Sequence, residues 1–277
     1  MTGAAGELAG ERRYGEWVVV RHDAAHPHVA ELVLDRPRAM NALSAEFSRR
    51  LAEACADLAG EPGAGVRAVV LSSTHPRAFC VGADLKERNQ LDDEGLARQR
   101  EVMREAFGGL LGLPMPAIAA VHGYALGGGL ELALSCDLII ADPGSELGLP
   151  EVSVGVVPGG GGTQLLPRRV GAARAAELIF TARRVTAAEA LGLGLVDRLA
   201  ARGEARAEAF ALADRAAAHS PVAVRAAKRA LRAAWGLPLE QGLQAEDAAW
   251  RDAAFSADRA EGVAAFNEKR PPRWPGV

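Results

Sequence analysis

The stretch PAIAAVHGYALGGGLELALSCDLIIAD, residues 116–142, decides how the rest of the chain is read. Residues 117–121 form a short apolar run, the pattern of a buried strand. Gly127-Gly128-Gly129 follow, residues 130–135 read as a helix, and 137–141 (DLIIA) read as a second buried strand. A strand, a loop and a helix that lead into another strand give the parallel crossover of an α/β fold. A rival reading fails on the same residues. Positions 106–130 carry no formal charge, yet Pro114, Pro116, His122 and several glycines interrupt them and Glu131 follows at once. They read as soluble core, not as a membrane span.

The rhythm extends in both directions. Upstream, 67–72 (RAVVLS) reads as a strand, followed by a loop through Gly82-Ala83-Asp84 and a polar helical stretch from 87 to about 111. Downstream, Leu149-Pro150-Glu151 leads into a short helix. There is no fixed repeat period, so a repeat solenoid is not indicated. Toward the N-terminus, 17–21 and 28–34 flank a loop as a hairpin that Asp35-Arg36-Pro37 ends, and 45–58 reads as an amphipathic helix with Ser44 as N-cap. Residues 1–15 are small and polar, the composition of a mobile tail. After Gly171 only 194–197 looks like a strand, and Ala-rich helices are expected over 204–235 and 238–269. The organisation is therefore a tail (1–15), an α/β body (16–203) and a helical region (204–277).

Composition removes several functional classes. With 277 residues, 49% of them hydrophobic, the chain can bury a sizeable core. A net charge of −3, with acids interleaved among the bases, offers no stripe for a polyanion. Cys55, Cys80 and Cys136 are too few and too scattered for a disulfide framework, and no Cys/His spacing suggests zinc. A reducing cytoplasm is the simplest compartment, since MTGAAGELAGERRYGEW lacks the apolar core of a signal peptide. Among 32 basic residues only Lys86, Lys228 and Lys269 are lysines.

Two loops carry the informative residues. In Phe79-Cys80-Val81-Gly82-Ala83-Asp84-Leu85-Lys86, small residues let a ligand approach the backbone. In Gly127-Gly128-Gly129-Leu130-Glu131 a helix opens on glycines, so unpaired N–H groups point out of its first turn. Two such donors can converge on one oxygen that gains negative charge, each worth about 3–4 kcal/mol of barrier. Packing alone would also explain tight glycine turns. Glu131 and Glu151 each sit in the first turn of an expected helix, where the helix dipole favours an acid. Both also lie in apolar surroundings, where a carboxylate needs a partner or a task. Two carboxyls on one cavity would have their pKa values pushed apart, giving a base and an acid. Other templates are missing: the glycines at 159–162 lack a following GK[ST], and there is no GxSxG, HExxH or dinucleotide fingerprint. His122 reads as a satisfied loop residue.

Taken together, Asp35-Arg36-Pro37-Arg38-Ala39-Met40-Asn41-Ala42-Leu43, AFCVGADLKER (78–88), residues 116–142, LGLPEVSVGVVPGGGGTQLLPR (147–168) and DRAEGVAAFNEKRPPR (258–273) resemble the enoyl-CoA hydratase/isomerase (crotonase) family. GGGLELAL, GADLKER and FNEKRPPR are most similar to its methylglutaconyl-CoA hydratase branch. The resemblance implies a crotonase-like spiral of ββα turns carrying the catalytic site, with a C-terminal α-helical region that assembles trimers, commonly paired into hexamers. It implies that the N–H groups of Ala83 and Gly128 hold the thioester oxygen and that Glu131 and Glu151 are the catalytic carboxyls. Arg38 and Lys86 match positions near the nucleotide of coenzyme A, and Phe266 and Lys269 match positions that reach the CoA of a neighbouring subunit. Ala78, Gly82, Asp84, Leu85, Gly127 and Pro150 belong to the same CoA- and substrate-binding blocks.

The implied reaction adds water to a 2-enoyl-CoA thioester, giving 3-hydroxyacyl-CoA, with no metal or separate cofactor and the acyl-CoA as the small-molecule partner. A Δ3,Δ2-enoyl-CoA isomerase of the same fold is the rival, though it usually lacks one of the two glutamates. A non-catalytic RNA- or CoA-binding protein is the rival from another class. The RNA-binding homologue carries lysines on its first long helix where this chain reads SRRLAEACADLAGEPGAG, which speaks against nucleic acid. Leu165 and Asp35 depart from the usual pattern at positions outside the proposed chemistry.

Overall fold

The computed structural model describes residues 10–60 and 65–277. The chain enters through an antiparallel meander of β1 (Gly10–Tyr14), β2 (Val18–His22) and β3 (Val29–Leu34), and the expected hairpin is the β2–β3 pair. Part of the expected tail is thus a strand. Gly10–Tyr14 pairs with β2 in full register, and Arg12 and Tyr14 both bond Asp57 (2.9 and 2.8 Å). This strand was hidden because it is a mostly exposed edge held by backbone bonds, so GERRY shows no apolar alternation. Residues 1–9 lie outside the described residues.

Helix α1 (Ala45–Gly60) starts where Ser44 Oγ accepts the Phe47 N–H, and it buries Phe47, Leu51, Ala54, Cys55 and Leu58. From here the chain repeats one move. A longer strand joins the main sheet, a three-residue strand joins a second sheet, and a helix or helical turn follows. The first turn is β4 (Ala68–Ser73), β5 (Ala78–Cys80), α2 (Leu85–Arg88) and α3 (Asp93–Leu111). The next is β6 (Ala117–Val121), β7 (Tyr124–Leu126) and α4 (Gly128–Ser135). The third is β8 (Leu138–Ala141), β9 (Glu146–Gly148) and a 3-10 turn over Glu151–Val154. Within the sheets β3, β4, β6 and β8 run parallel, as do β5, β7 and β9. This is the ββα spiral that the resemblance implied.

The chain continues through α5 (Gly162–Val170), α6 (Ala172–Phe180), β10 (Val185–Thr186), α7 (Ala187–Leu193) and β11 (Arg198–Leu199). Then come α8 (Ala205–Ala217), α9 (Pro221–Ala233), α10 (Leu239–Ala254) and α11 (Ala257–Glu268). Three expectations shift. The helix expected from 87 is two, because Asp92 caps a new start through the Gly95 N–H (2.7 Å). The strand expected at 194–197 falls at Arg198–Leu199, since Gly194 ends α7 in the left-handed region. Each long C-terminal helix divides where a serine caps a fresh start, Ser220 for α9 and Ser256 for α11.

Helix α8 also belongs to the body and not to an appendage. Ala205, Ala209, Phe210 and Ala213 pack on Val29, Val70, Ile118 and Ile140, on the face of the main sheet turned away from α1. Glu31, only 2% exposed, anchors it: Ser72 Oγ donates to Oε1 (2.7 Å), and Arg206 from α8 holds both carboxylate oxygens. Lys228, to which the sequence assigned no role, is buried and ties α9 to the sheets through Met115 O (2.6 Å) and Asp137 (2.7 Å). Among the described residues no helix is long and apolar enough to cross a membrane.

Arg206→Met leaves the Glu31 charge buried without its ion-pair partner and should lower the unfolding free energy by about 2–4 kcal/mol. Adding Glu31→Met should restore much of it in a denaturant titration; a single-variant loss below about 0.5 kcal/mol would contradict this anchor.

Candidate active site

A cavity of about 860 Å³ opens between the ends of the short strands and the wall formed by α3. Because β5 and β7 are parallel neighbours, the loops that follow them emerge at the same end and touch. A methyl group placed on Gly82 (φ +89°) would stand 2.8 Å from Leu126 O and 3.1 Å from the Gly128 nitrogen, so that position admits only glycine. Leu43 clamps the first loop from the side: its N–H donates to Gly82 O (2.8 Å) and its carbonyl accepts the Asp84 N–H (3.0 Å). The Ala83 N–H between them has no protein acceptor among the described residues. Nor has the N–H of Gly128, the first residue of α4, as expected for an opening helical turn. Both residues line the cavity.

Glu131 lies one helical turn beyond Gly127 and faces the same cavity. It is 3% exposed, and its Oε1 accepts N–H groups from Gly160 (2.6 Å) and Gly162 (2.7 Å). A methyl group on Gly162 would come within 2.9 Å of that same oxygen, so glycine lets the backbone reach the carboxyl. Burial pushes the Glu131 carboxyl above its ordinary value, while the two N–H donors and Arg100 pull it back.

Glu151 opens the 3-10 turn across the cavity, and its Oε2 is buried with no partner among the described residues. Burial, opposed by its own backbone N–H, pushes its carboxyl up to about 7; the Glu131 charge adds to the rise and Arg88 reduces it. Two carboxyls thus share one cavity in different surroundings, one tied to the backbone donors of a neighbouring loop and the other with a buried oxygen that has no partner among the described residues.

Eight of the residues singled out from sequence line this cavity: Gly82, Ala83, Leu85, Gly127, Gly128, Glu131, Pro150 and Glu151. The others lie elsewhere. Ala78 is fully buried in β5, its carbonyl taken by Ser73 Oγ (2.7 Å). Asp84 sits behind the loop as N-cap of α2; burial works against its charge, but Arg36 (2.7 Å) and two N–H donors hold its carboxyl below the ordinary value. Arg38, Lys86, Phe266 and Lys269 are exposed outside the cavity, and a single chain does not bring the last two to it. His122 donates to His75 O (2.6 Å), the satisfied loop histidine expected.

Sequence reading passed over the supports. Asn41, fully buried at φ +57°, accepts the Arg36 N–H (2.7 Å) and donates to Ser73 Oγ (2.7 Å) and Phe79 O (2.9 Å). Arg36 binds Asp84 and Ala42 O while stacking on Trp17 (4.6 Å). Their signal was an asparagine, which tolerates positive φ, five residues after Arg36 in the block 35–43. Arg88, Arg100 and Phe107 on the cavity wall were not singled out either.

With this geometry in view, comparison with known proteins places the chain. The profile of the family "Enoyl-CoA hydratase/isomerase" matches residues 25–276, and the chain belongs to that family. It is 44% identical over 250 residues to YngF of Bacillus subtilis (strain 168), covering 90% of this chain and 95% of the relative. It is 38% identical over 262 residues to the mouse mitochondrial methylglutaconyl-CoA hydratase (93% and 83%). The crystal structure of the Bacillus anthracis enoyl-CoA hydratase superposes with a TM-score of 0.89 at 40% identity, covering 94% of this chain and 99% of that one. The fold is therefore the crotonase fold.

The raised Glu151 carboxyl sets a pH dependence. The native state keeps a proton that the unfolded chain releases above about 4.5, so this contribution to stability is present at low pH and lost as pH rises through about 7. Glu151→Gln has no such group. The melting temperature of the wild type relative to the variant should fall between about pH 5 and pH 8, and a constant difference would contradict the burial of this carboxyl.

Proposed function

We propose that the chain hydrates 2-enoyl-CoA thioesters to 3-hydroxyacyl-CoA. The observation that carries this reading is the meeting, on one cavity, of two N–H groups without an acceptor among the described residues and two carboxyls in unlike environments, one buried and one half-buried. The thioester oxygen sits between the N–H groups of Ala83 and Gly128. As a nucleophile adds at C3, charge moves onto that oxygen, and donors already in place stabilise the enolate-like state without reorganising.

Glu131, whose ionised form the Gly160 and Gly162 N–H groups favour, takes a proton from water as its oxygen bonds to C3. Glu151, kept protonated by burial, gives its proton to C2. The pair resets when the proton gained by Glu131 returns to Glu151 through solvent. All steps run through backbone N–H groups and carboxyls, so the proposed reaction calls for no metal or separate cofactor. A Δ3,Δ2-enoyl-CoA isomerase needs one carboxyl to carry a proton between carbons; the second carboxyl on the same cavity supports hydration instead.

Assembly and compartment extend the proposal. Leu231, Leu239, Trp250, Phe255 and Phe266 on or beside α9, α10 and α11 are exposed, which supports packing of these helices in a trimer or a pair of trimers. In such an assembly Phe266 and Lys269 would serve the CoA of a neighbour. Three free, buried cysteines fit a reducing compartment such as the cytoplasm.

Glu151→Gln should bind the thioester yet hydrate crotonyl-CoA at least about 100-fold more slowly, followed by loss of the enoyl-thioester absorbance. Near-normal turnover by that variant would sink the assignment.

A further inference from the structure

The two proposed thioester donors are held in unlike ways. Gly128 begins a regular helix, where the Glu131 N–H donates to Gly127 O (3.0 Å) and the Gly127 N–H to Gly148 O (2.9 Å). Ala83 lies in no helix or strand, since β5 ends at Cys80 and α2 begins at Leu85. Its direction comes from a single parallel bridge to Leu43. In that bridge the carbonyl of Gly82 and the N–H of Asp84 face Leu43. The Ala83 N–H between them therefore points the other way, toward the cavity that Ala83 lines.

One guanidinium fastens both sides of the bridge. Arg36 Nη1 donates to the carbonyl of Ala42 (2.6 Å), which precedes Leu43, and to Oδ2 of Asp84 (2.7 Å), which follows Ala83. The other oxygen of Asp84 accepts the N–H groups of Lys86 (3.1 Å) and Glu87 (3.2 Å), tying the loop to the start of α2. Arg36 lies on the ring of Trp17 (4.6 Å), and that ring stands edge-on to Phe47 of the core at 6.3 Å. The side chains of Arg36 and Asp84 are only 17% and 12% exposed, yet neither residue lines the cavity. They touch no reacting atom and act through the loop they hold.

We propose that Arg36 and Asp84 are positioning residues that aim the Ala83 N–H at the thioester oxygen and so set the rate of the chemical step. This role rests on the hydration reading for its reaction and on the bridge for its geometry. Charge grows on the oxygen as the nucleophile adds, so a misdirected donor loses more in the transition state than in the bound thioester. The sign of the effect separates aiming from a field acting through space. By charge alone, removing the Arg36 cation would disfavour the enolate and removing the Asp84 anion would favour it. Loss of aim slows the reaction in both cases. An amide at position 84 has one acceptor oxygen where the carboxylate uses two, so Asp84→Asn gives up either Arg36 or the α2 N–H groups.

Hydration of crotonyl-CoA is measured for the wild type, Arg36→Met and Asp84→Asn. Beside it is recorded the difference infrared spectrum of bound butyryl-CoA, labelled with carbon-13 at the thioester carbonyl. Both variants should lose about 10- to 100-fold in kcat while KM stays within about threefold. The labelled stretch should lie below its free value in the wild type and move back toward it in both variants. Arg36→Lys, which keeps the charge and a donor, should recover part of each change and carries the comparison if Arg36→Met does not fold. Opposite changes in kcat for Arg36→Met and Asp84→Asn, or a carbonyl stretch in the folded variants equal to that of the wild type, would overturn the proposal. Butyryl-CoA has no double bond to hydrate, so the spectrum tests the aiming role even where crotonyl-CoA is not turned over, and either reading can fail while the other stands.

Discussion

A carboxylate buried beneath a glycine loop is the constraint on which the rest of this site depends. Glu131 is almost wholly removed from water, and an ionised carboxylate there is costly unless donors replace the lost hydration. The N–H groups of Gly160 and Gly162 do so, which requires the chain after the 3-10 turn to lie directly on α4. That loop is in turn pressed from above by Phe107 of α3; a methyl group on Gly160 would overlap the ring at 2.5 Å. Helix α3, the glycine loop and α4 are thus stacked around one charge, and the cavity is the space left beside the stack.

The spiral explains why the remaining groups converge. Each turn sends a short strand into the second sheet, and its end delivers one functional piece: Gly82-Ala83 after β5, Gly127-Gly128 after β7, and Pro150-Glu151 after β9. Parallel pairing puts all three ends on one side. The supports are polar and internal, with Asn41 and the Arg36–Asp84 pair holding the first loop. The anchoring of α8 by Glu31 and Arg206 acts on the opposite face of the main sheet, far from the chemistry.

Much of this is legible in the amino-acid sequence. The apolar runs at 67–72 and 117–121 and the amphipathic stripe of 45–58 carry the periodicities that dictate buried strands and a surface helix. Glu131, Glu151 and the two glycine loops stood out because acids and glycines in apolar surroundings are costly without a reason. What stayed hidden had no such mark. Strands β5, β7 and β9 are three residues long, too short for alternation, and β1 is a polar edge. The break between α2 and α3 lies in a uniformly polar run, where only the capping geometry of Asp92 distinguishes a start from an interior. Arg88 and Arg100 are two arginines among many, and residue type does not separate a guanidinium in an ion pair from one facing a cavity.

The proposed reaction adds water across a conjugated thioester in this cavity. Incubating crotonyl-CoA with the protein in oxygen-18 water and analysing the product by mass spectrometry tests it directly. Hydration requires 3-hydroxybutyryl-CoA bearing one heavy oxygen at C3, formed as the enoyl absorbance disappears. Recovery of unlabelled crotonyl-CoA, or a shifted double bond with no oxygen gained, would contradict the account.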